Sequence, residues 1–348
     1  MSNNKTKASG SFLDKLNNLT DTNLLLTITI VIFFLMYVGA MIFQGGGFLK
    51  AQQFFNLLNT NAALIVLACG LSLVMITGGI DISVGGVTAL VSMCCAVYLD
   101  HMGGNVFVSV LVALAIGLAF GAFQGFLVAY LDIQPFIVTL AGMFFARGMT
   151  TIVNTKPFNV ANEAFTKLKM TRVIIPGLGS VNRKGDYIDA YVEIGVIVAL
   201  LVVVVMFCLL RWTKLGRSFY AVGGNRQSAL MLGINVKRTR FLSHLICGLL
   251  AGIGGYVYFL HVGSGSPSHA MGAEMDAIAS SIIGGTMLTG GVGNIAGTLL
   301  GVMSLGTILQ IVSAAGLGEA WWVGITRAAM LCLFLVVQSV VMARKKKA

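Results

Sequence analysis

Long apolar runs, separated by short breaks that contain glycine, proline or charge, make up most of the chain. They predict ten membrane-spanning helices, near 24–43, 54–77, 85–100, 106–131, 134–153, 190–210, 241–262, 275–288, 294–313 and 321–342. Crossing a bilayer takes about 20 apolar residues, and the runs at 85–100 and 275–288 are shorter than that. Each of these two adjoins a glycine cluster, so we expect broken or partial helices there, with the freed backbone groups satisfied by protein or by a wet cavity.

Composition agrees with a polytopic membrane protein of the all-α class. The chain is 57% hydrophobic and 10% charged, with a mean hydropathy of +0.90, whereas a soluble domain carries about 25% charge. We therefore predict one transmembrane domain over residues 24–342, flanked by a polar tail, 1–23, and a basic tail, 343–348. The first tail is too long and too acidic for a cleaved signal. All six cysteines lie in apolar segments, without a disulfide or metal-ligand spacing.

The distribution of basic residues predicts the orientation in the membrane. Residues 51–146 contain no Lys or Arg, whereas residues 211–240 contain seven and no acid. An even number of spans puts both termini on one side, which then holds 14 basic residues against seven on the other. The positive-inside rule places both termini and 211–240 in the cytoplasm and the polar segment 155–189 outside. The net charge of +11 thus follows from membrane topology and does not indicate nucleic-acid binding.

Glycine spacing predicts close helix packing at two places and a break at two others. Glycines recur at every fourth residue in "GLAFGAFQG" (117, 121, 125) and in "GNIAGTLLG" (293, 297, 301), which lets helix backbones approach. The segments "TGGIDI" at 77–82 and "TGGVGN" at 289–294 echo each other, and paired interrupted helices point to a transport pathway. The candidate hinge and translocation-path residues are Gly78, Gly79, Asp81, Ser83, Gly85, Gly290 and Gly291, with the amides Asn59 and Gln124.

Asp81 is the sharpest polar candidate, because an acid at membrane depth is costly unless it is paired or hydrated. Three roles are open to it: capping or hinging the next helix together with Ser83, lining the path or pairing with a cation, and coupling transport to protons. It could also lie in water at the cytoplasmic end of the 54–77 span. Arg147 and Arg327 are charges inside apolar segments, where they either snorkel to the outer interface or contact a docked protein or a sugar hydroxyl.

Other polar side chains give weaker signals. Amides within or at the edge of spans offer hydrogen bonds to a sugar, although an amide that joins two helices gives the same pattern. They are Asn56, Asn59, Asn61, Gln124 and Gln310. The four histidines show no H-x-x-x-H or acid-paired pattern, which gives a membrane enzyme little support.

The basic loop at 211–240 contains a compact helical signature. Asn225 is a good N-cap, the following residues can form about two helical turns, and Gly233 can end them in the left-handed conformation. Such an element suits a rigid knob that docks into a partner's groove. A basic loop that contacts anionic lipid head groups is the alternative. The candidate coupling residues are Gly223, Gly224, Asn225, Arg226, Gln227, Ser228, Ala229, Gly233 and Asn235.

Several long motifs, in order from about residue 25 to 340, carry a resemblance to a known family. They are "GGIDISVGG", "TLAGMFFARG", "YAVGGNRQSALMLGINV", "DAIASSIIGGTMLTGGVGNIAGTLLG" and "EAWWVGI". The chain resembles permease subunits of ribose/xylose/galactose-type sugar importers of the ATP-binding-cassette class, and within them a galactofuranose importer permease. Its "QSALMLG" follows the spacing of the EAA-x-x-x-G loop by which such permeases engage their ATPases.

The resemblance implies a permease of the bacterial inner membrane that moves a monosaccharide by alternating access. Its implied partners are a second, related permease subunit, two ATPase copies or one fused double ATPase, an extracytoplasmic sugar-binding protein, and membrane lipid. We expect no cofactor or metal on this chain, with ATP and Mg on the partner ATPase. Independently, no Lys follows a Gly, so the G-K-[ST] of a P-loop is missing. An ATP-independent secondary sugar transporter or facilitator is the competing hypothesis.

Overall fold

The structure is a computed structural model that describes residues 21–44, 48–181 and 187–345. Most of the tails predicted at 1–23 and 343–348 lies outside these ranges. The helices are α1 Asp21–Gln44, α2 Ala51–Ile76, α3 Val84–Asp100, α4 Val106–Ala129, α5 Pro135–Val153, α6 Glu163–Met170, α7 Ile194–Trp212, α8 Lys214–Gly224, α9 Arg226–Met231, α10 Val236–Val262, α11 Ala273–Ile283, α12 Ile295–Ala314 and α13 Ala320–Lys345. The strands are β1 Phe158–Asn159, β2 Arg172–Val181, β3 Tyr187–Glu193 and β4 Ser264–Gly265.

Each of the ten predicted spans overlaps a helix, which confirms the all-α class, although α11 ends at Ile283, five residues before the predicted 288. Eight helices of the described part are long and apolar enough to cross a membrane: α1, α2, α4, α5, α7, α10, α12 and α13. The two runs predicted to be short are short, since α3 has 17 residues and α11 has 11. Two predicted starts were wrong. Residues 190–193 belong to β3 rather than to a span, and α10 begins five residues before the predicted 241.

Helices α2 and α10 form the centre of the bundle. Every residue of α2 from Ile65 to Ile76 is buried, and α10 lies between α2, α3 and α4. Glycines make the contact between α4 and α10 close. A Cβ placed on Gly121 would lie 2.7 Å from the His244 carbonyl oxygen and 3.0 Å from the Cα of Gly248. The first glycine spacing therefore is a packing face, as the sequence predicted.

The second glycine spacing joins α12 to α11. A Cβ on Gly301 would collide with the Ser280 carbonyl oxygen, and one on Gly297 would collide with the Gly284 carbonyl oxygen. Backbone contact at this distance leaves no room for a side chain in either helix. The partial helix α11 is therefore fixed against the full-length helix α12.

The described residues of the polar segment 155–189 fold into a small lobe. It holds α6 and the antiparallel pair β2–β3, whose register runs from Arg172 opposite Glu193 to Val181 opposite Tyr187, with an irregularity between Ile175 and Ser180. A two-residue pairing of β1 with β4 ties the lobe to the end of α10. One spanning helix, α7, separates this lobe from α8 and α9, so the two lie at opposite ends of the bundle.

Candidate functional site

The break between α2 and α3 is built around a buried carboxylate. Asp81 is 1% exposed, and its Oδ1 accepts hydrogen bonds from the Ser83 amide at 2.9 Å and from the Ser83 hydroxyl at 2.6 Å. These bonds satisfy backbone and side-chain donors at the start of α3, which is what a capping group does. Asp81 therefore does not lie in water at the end of the span. The geometry favours the capping role without excluding the others.

A histidine from α10 lies beside this buried carboxylate. His244 is 2% exposed, and its Nδ1 lies 3.8 Å from Asp81 Oδ2. At the opposite end of α10, His261 Nδ1 lies 2.6 Å from Glu193 Oε2. The sequence shows no acid-paired histidine pattern, yet two of the four histidines lie beside an acid in the structure. The partners are far apart in the sequence, so a local spacing pattern could not reveal them.

The two TGG segments meet in one backbone cluster, which we call the glycine junction: Gly78, Gly223, Gly224, Gly290 and Gly291. Gly78, Gly290 and Gly291 have φ values of +79°, +85° and +75°, in the left-handed region that glycine adopts without strain. The amide of Gly291 donates to the Ile76 carbonyl oxygen at 2.9 Å, which connects the second break to the end of α2.

Helix α8 supplies the third side of the glycine junction. A Cβ on Gly223 would collide with the Ile76 carbonyl oxygen and lie 2.7 Å from the Gly291 amide nitrogen. Next to it, the Tyr220 hydroxyl donates to the Gly293 carbonyl oxygen at 2.9 Å. The predicted coupling segment and both predicted breaks are thus in direct contact. The sequence analysis proposed the two groups separately and gave no sign that they touch.

Helix α9 follows as a short knob whose ends match the sequence signature. Asn225 accepts from the Ser228 amide at 2.8 Å, and Gly233 has a φ of +78° just after the helix. Asn235 in turn caps α10 by accepting from the Arg238 amide at 2.9 Å. The sequence did not predict α8, although its Thr213 side chain caps it by accepting from the Gly216 amide at 3.0 Å.

The knob is fixed to the bundle on one side and apolar on the other. Ala229 is buried in a small cluster with Val222 and Val236. Leu230, Met231 and Leu232, by contrast, are 63%, 78% and 79% exposed. Three exposed apolar side chains thus form an apolar patch on a basic, otherwise polar connector.

An ion-pair cluster links the knob to the turn between α4 and α5. Asp132 Oδ1 lies 2.7 Å from Arg240 Nη1 and 3.1 Å from Arg226 Nη2. Hydrogen bonds from Arg240 and then Arg226 lower the pKa of Asp132 below its ordinary value of about 3.9. Because the pKa is lowered, the pairing contributes its full share to folding stability above the ordinary pKa. That share is lost only as the pH falls through the lowered pKa. The anchor of the knob is therefore fully charged at neutral pH.

The two arginines inside the spans lie against acids of the partial helix α11. Arg147 donates to the carbonyl oxygens of His269 and Ala270 at 2.5 and 2.7 Å and lies 4.0 Å from Glu274. Arg327 Nε lies 2.7 Å from Asp276 Oδ1. Both acids belong to the first turn of α11, where carboxylates also stabilise the helix N-terminus. The arginines thus fix α5 and α13 to the partial helix.

The remaining candidate path residues lie at different places. Gln124 reaches the first break, with its Oε1 3.1 Å from the Ser83 hydroxyl, and Gly85 packs against the Glu274 side chain. Gly79 donates its amide to the Val74 carbonyl oxygen at 3.0 Å. Asn59 lies near the other end of α2, where it accepts from the Glu193 amide at 2.9 Å. In the described residues, no three His, Cys, Asp or Glu side chains come together as a metal site.

Comparison with known proteins gives the family. A family model described as "Branched-chain amino acid transport system / permease component" matches residues 53–335. The inner membrane ABC transporter permease protein YjfF of Escherichia coli strain K12 is 35% identical over 316 residues, which are 91% of this chain and 92% of that protein. The fructose import permease protein FruG of Bifidobacterium longum strain NCC 2705 is 36% identical over 317 residues, 90% of each chain.

A third relative is also an import permease. No solved structure matches this chain. The ribose import permease protein RbsC of Escherichia coli strain K12 is 33% identical over 293 residues, 84% of this chain and 87% of that protein. The family match spans most of the chain, and the spans it covers are long and apolar. The chain therefore belongs to this family of transporter permease components, and it is a multi-pass membrane subunit of a transport system rather than an enzyme.

Proposed function

We propose that this chain is the permease subunit of an ATP-binding-cassette importer that moves a monosaccharide inward by alternating access. Separate ATPase subunits, which carry ATP and Mg, dock on the α9 knob at the cytoplasmic side. A second permease subunit completes the path, and an extracytoplasmic binding protein delivers the sugar. The knob end carries the basic residues of 211–240, so both termini lie in the cytoplasm.

One observation carries the coupling part of this proposal. Gly223, at the end of α8, lies in backbone contact with the end of α2 and with the second TGG segment. A force applied to the knob is therefore transmitted to both helix breaks without an intervening side chain. Backbone contacts of this kind resist compression, because the packed protein interior deforms little.

The substrate class rests on the relatives. Two of the relatives named above are import permeases for fructose and ribose. A further relative is a xylose transport permease, 32% identical over 335 residues. The description of the family model names branched-chain amino acids instead. We favour a sugar because several relatives that match nearly the whole chain are named as sugar permeases. Galactofuranose as the particular sugar stays a prediction. Uptake of radiolabelled ribose, xylose, fructose and leucine by cells that express the complete importer separates the two classes.

Replacing Met231 with glutamate is expected to release the ATPase. Met231 is 78% exposed on the knob, and a charge there would enter the apolar part of the docking surface. Losing a central interface contact costs about 2 kcal/mol or more, which corresponds to at least a tenfold loss of affinity. The measurement is the amount of P-loop ATPase that co-purifies with the tagged chain in mild detergent.

The matched control is Leu317→Glu, which adds the same charge to an exposed apolar residue between α12 and α13, at the opposite end of the bundle. It should retain the ATPase. Equal recovery of the ATPase with Met231→Glu and with the unaltered chain would show that α9 is not the docking element.

A further inference from the structure

A cleft opens between α4 and α5 because these helices are held by different neighbours. Helix α4 is fixed to α10 by its glycine face, whereas α5 packs on α3, where a Cβ on Gly86 would lie 2.8 Å from the Met143 carbonyl oxygen. The cleft has a volume of about 600 Å³, within the range of about 300–1,000 Å³ that is typical of small-molecule sites. Its wall includes Phe120, Phe123, Gln124, Ala141, Gly142 and Phe145.

The side-chain amide of Gln124 lies in this wall, and one of its two polar atoms has no hydrogen-bond partner among the described residues. Its side chain is 2% exposed, and its Nε2 has no hydrogen-bond partner among the described residues. The Ser83 hydroxyl has one proton, which goes to the Asp81 carboxylate at 2.6 Å. It therefore cannot also donate to the Gln124 oxygen at 3.1 Å. Since amide oxygen and nitrogen are assigned from their hydrogen bonds, Gln124 donates to Ser83, and its carbonyl oxygen takes the unpartnered position.

Gly142 lies beside this amide in the wall of the cleft. A Cβ on Gly142 would collide with the unpartnered amide atom of Gln124, so this atom lies directly against the Gly142 backbone, in space that a glycine leaves open. The cleft is otherwise apolar, and Phe123 and Phe145 are 66% and 62% exposed along it. Aromatic faces beside one or a few fixed polar groups are typical of binding sites for small molecules that have both apolar and polar surfaces. A lipid chain would leave the buried amide unsatisfied, at a cost of about 1–3 kcal/mol.

We infer that the cleft between α4 and α5 is a sugar-binding subsite on the translocation path, where the Gln124 amide hydrogen-bonds a hydroxyl of the ring and Phe120, Phe123 and Phe145 contact its apolar face. This inference rests on the proposed function and specifies where the sugar is held. The same amide bonds Ser83, which bonds Asp81, so an occupied cleft is connected to the first helix break.

The test is uptake by the complete importer with Ala141→Trp, which fills the cleft from its exposed side and leaves Gln124 and Ser83 unchanged. The control is Ile152→Trp, an equal change at a residue of α5 that is 76% exposed and outside the cleft. With radiolabelled ribose, xylose and fructose as probes, we expect at least tenfold lower uptake for Ala141→Trp and less than twofold change for the control. Membrane content and ATPase co-purification should match the unaltered importer in both.

A second variant removes the hydrogen bond without filling the cleft. Gln124→Leu should lower uptake at least fivefold at sugar concentrations below saturation and less at saturation, because it weakens binding. Uptake by Ala141→Trp equal to that of the unaltered importer would overturn the inference and identify the cleft as a lipid-facing surface. If the unaltered importer takes up none of the three sugars, the comparison is repeated with labelled galactofuranose, and failure with all four sugars lies with the proposed function instead.

Discussion

Replacing Gly223 with alanine is expected to reduce transport at least tenfold while leaving the chain in the membrane. The new Cβ would collide with the Ile76 carbonyl oxygen and lie 2.7 Å from the Gly291 amide nitrogen. Backbone atoms on both sides cannot move away as a flexible side chain would, and overpacking of this kind costs about 1–3 kcal/mol. Helix α8 would separate from the glycine junction, and movement of the knob would no longer reach the breaks.

The neighbouring glycine provides the control. A Cβ on Gly224 meets nothing within 4 Å, so Gly224→Ala makes the same chemical change in the same helix without a collision. Uptake of labelled sugar, normalised to the amount of permease in the membrane, should be near normal for Gly224→Ala and at least tenfold lower for Gly223→Ala. Similar uptake by the two variants would remove the basis for coupling through this contact.

Replacing Asp81 with alanine is expected to destabilise the protein. The change removes the acceptor for the Ser83 amide and hydroxyl and leaves His244 buried without its acid. An unsatisfied buried group costs about 1–3 kcal/mol, and this change leaves both Ser83 donors without their acceptor. We expect the free energy of unfolding in detergent to fall by about 2–4 kcal/mol, measured by thermal or denaturant unfolding.

Asp81→Asn distinguishes the capping role from proton coupling. The asparagine oxygen can still accept from Ser83, so the loss of stability should be smaller than with alanine. Transport should continue with an unchanged pH dependence, since no proton is carried. Loss of a pH-dependent flux in Asp81→Asn, with normal stability, would instead favour the secondary-transporter hypothesis.

The ten spans and the knob could be predicted from the sequence because each depends on local pattern. Apolar length defines the spans, glycine clusters mark the breaks, and the Asn225 cap with Gly233 marks α9. Helix α8 was missed because it is short and follows a span directly. The strands of the lobe were missed because the pairing of Arg172 with Glu193 joins distant residues across a proline- and glycine-containing stretch.

The contacts that make the site could not be predicted in the same way. The glycine junction joins residues 78, 223 and 290, and the buried network joins Asp81 of the first break to His244 of α10. Such contacts depend on how helices pack, and a single sequence specifies packing faces but not which faces meet. The ion pairs of Arg147 and Arg327 with α11 are of the same kind.

The central claim is that the knob and the second break move as one unit when ATP binds. Spin labels report it directly if they are placed at Gln227, an exposed polar residue of the knob outside its apolar patch, and at Leu288 in the second break, which is 45% exposed. A second pair joins Gln227 to Ile152 on α5, as a reference to the rest of the bundle. The background carries alanine at the cysteines that are not buried: Cys94, Cys208 and Cys332.

The decisive measurement is the change in these two distances on adding ATP to the complete importer, with one labelled permease per complex. The account predicts a constant distance between residues 227 and 288 and a changed distance between residues 227 and 152. A change in the first distance with none in the second would contradict it, because the knob would then move independently of the break to which the glycine junction connects it.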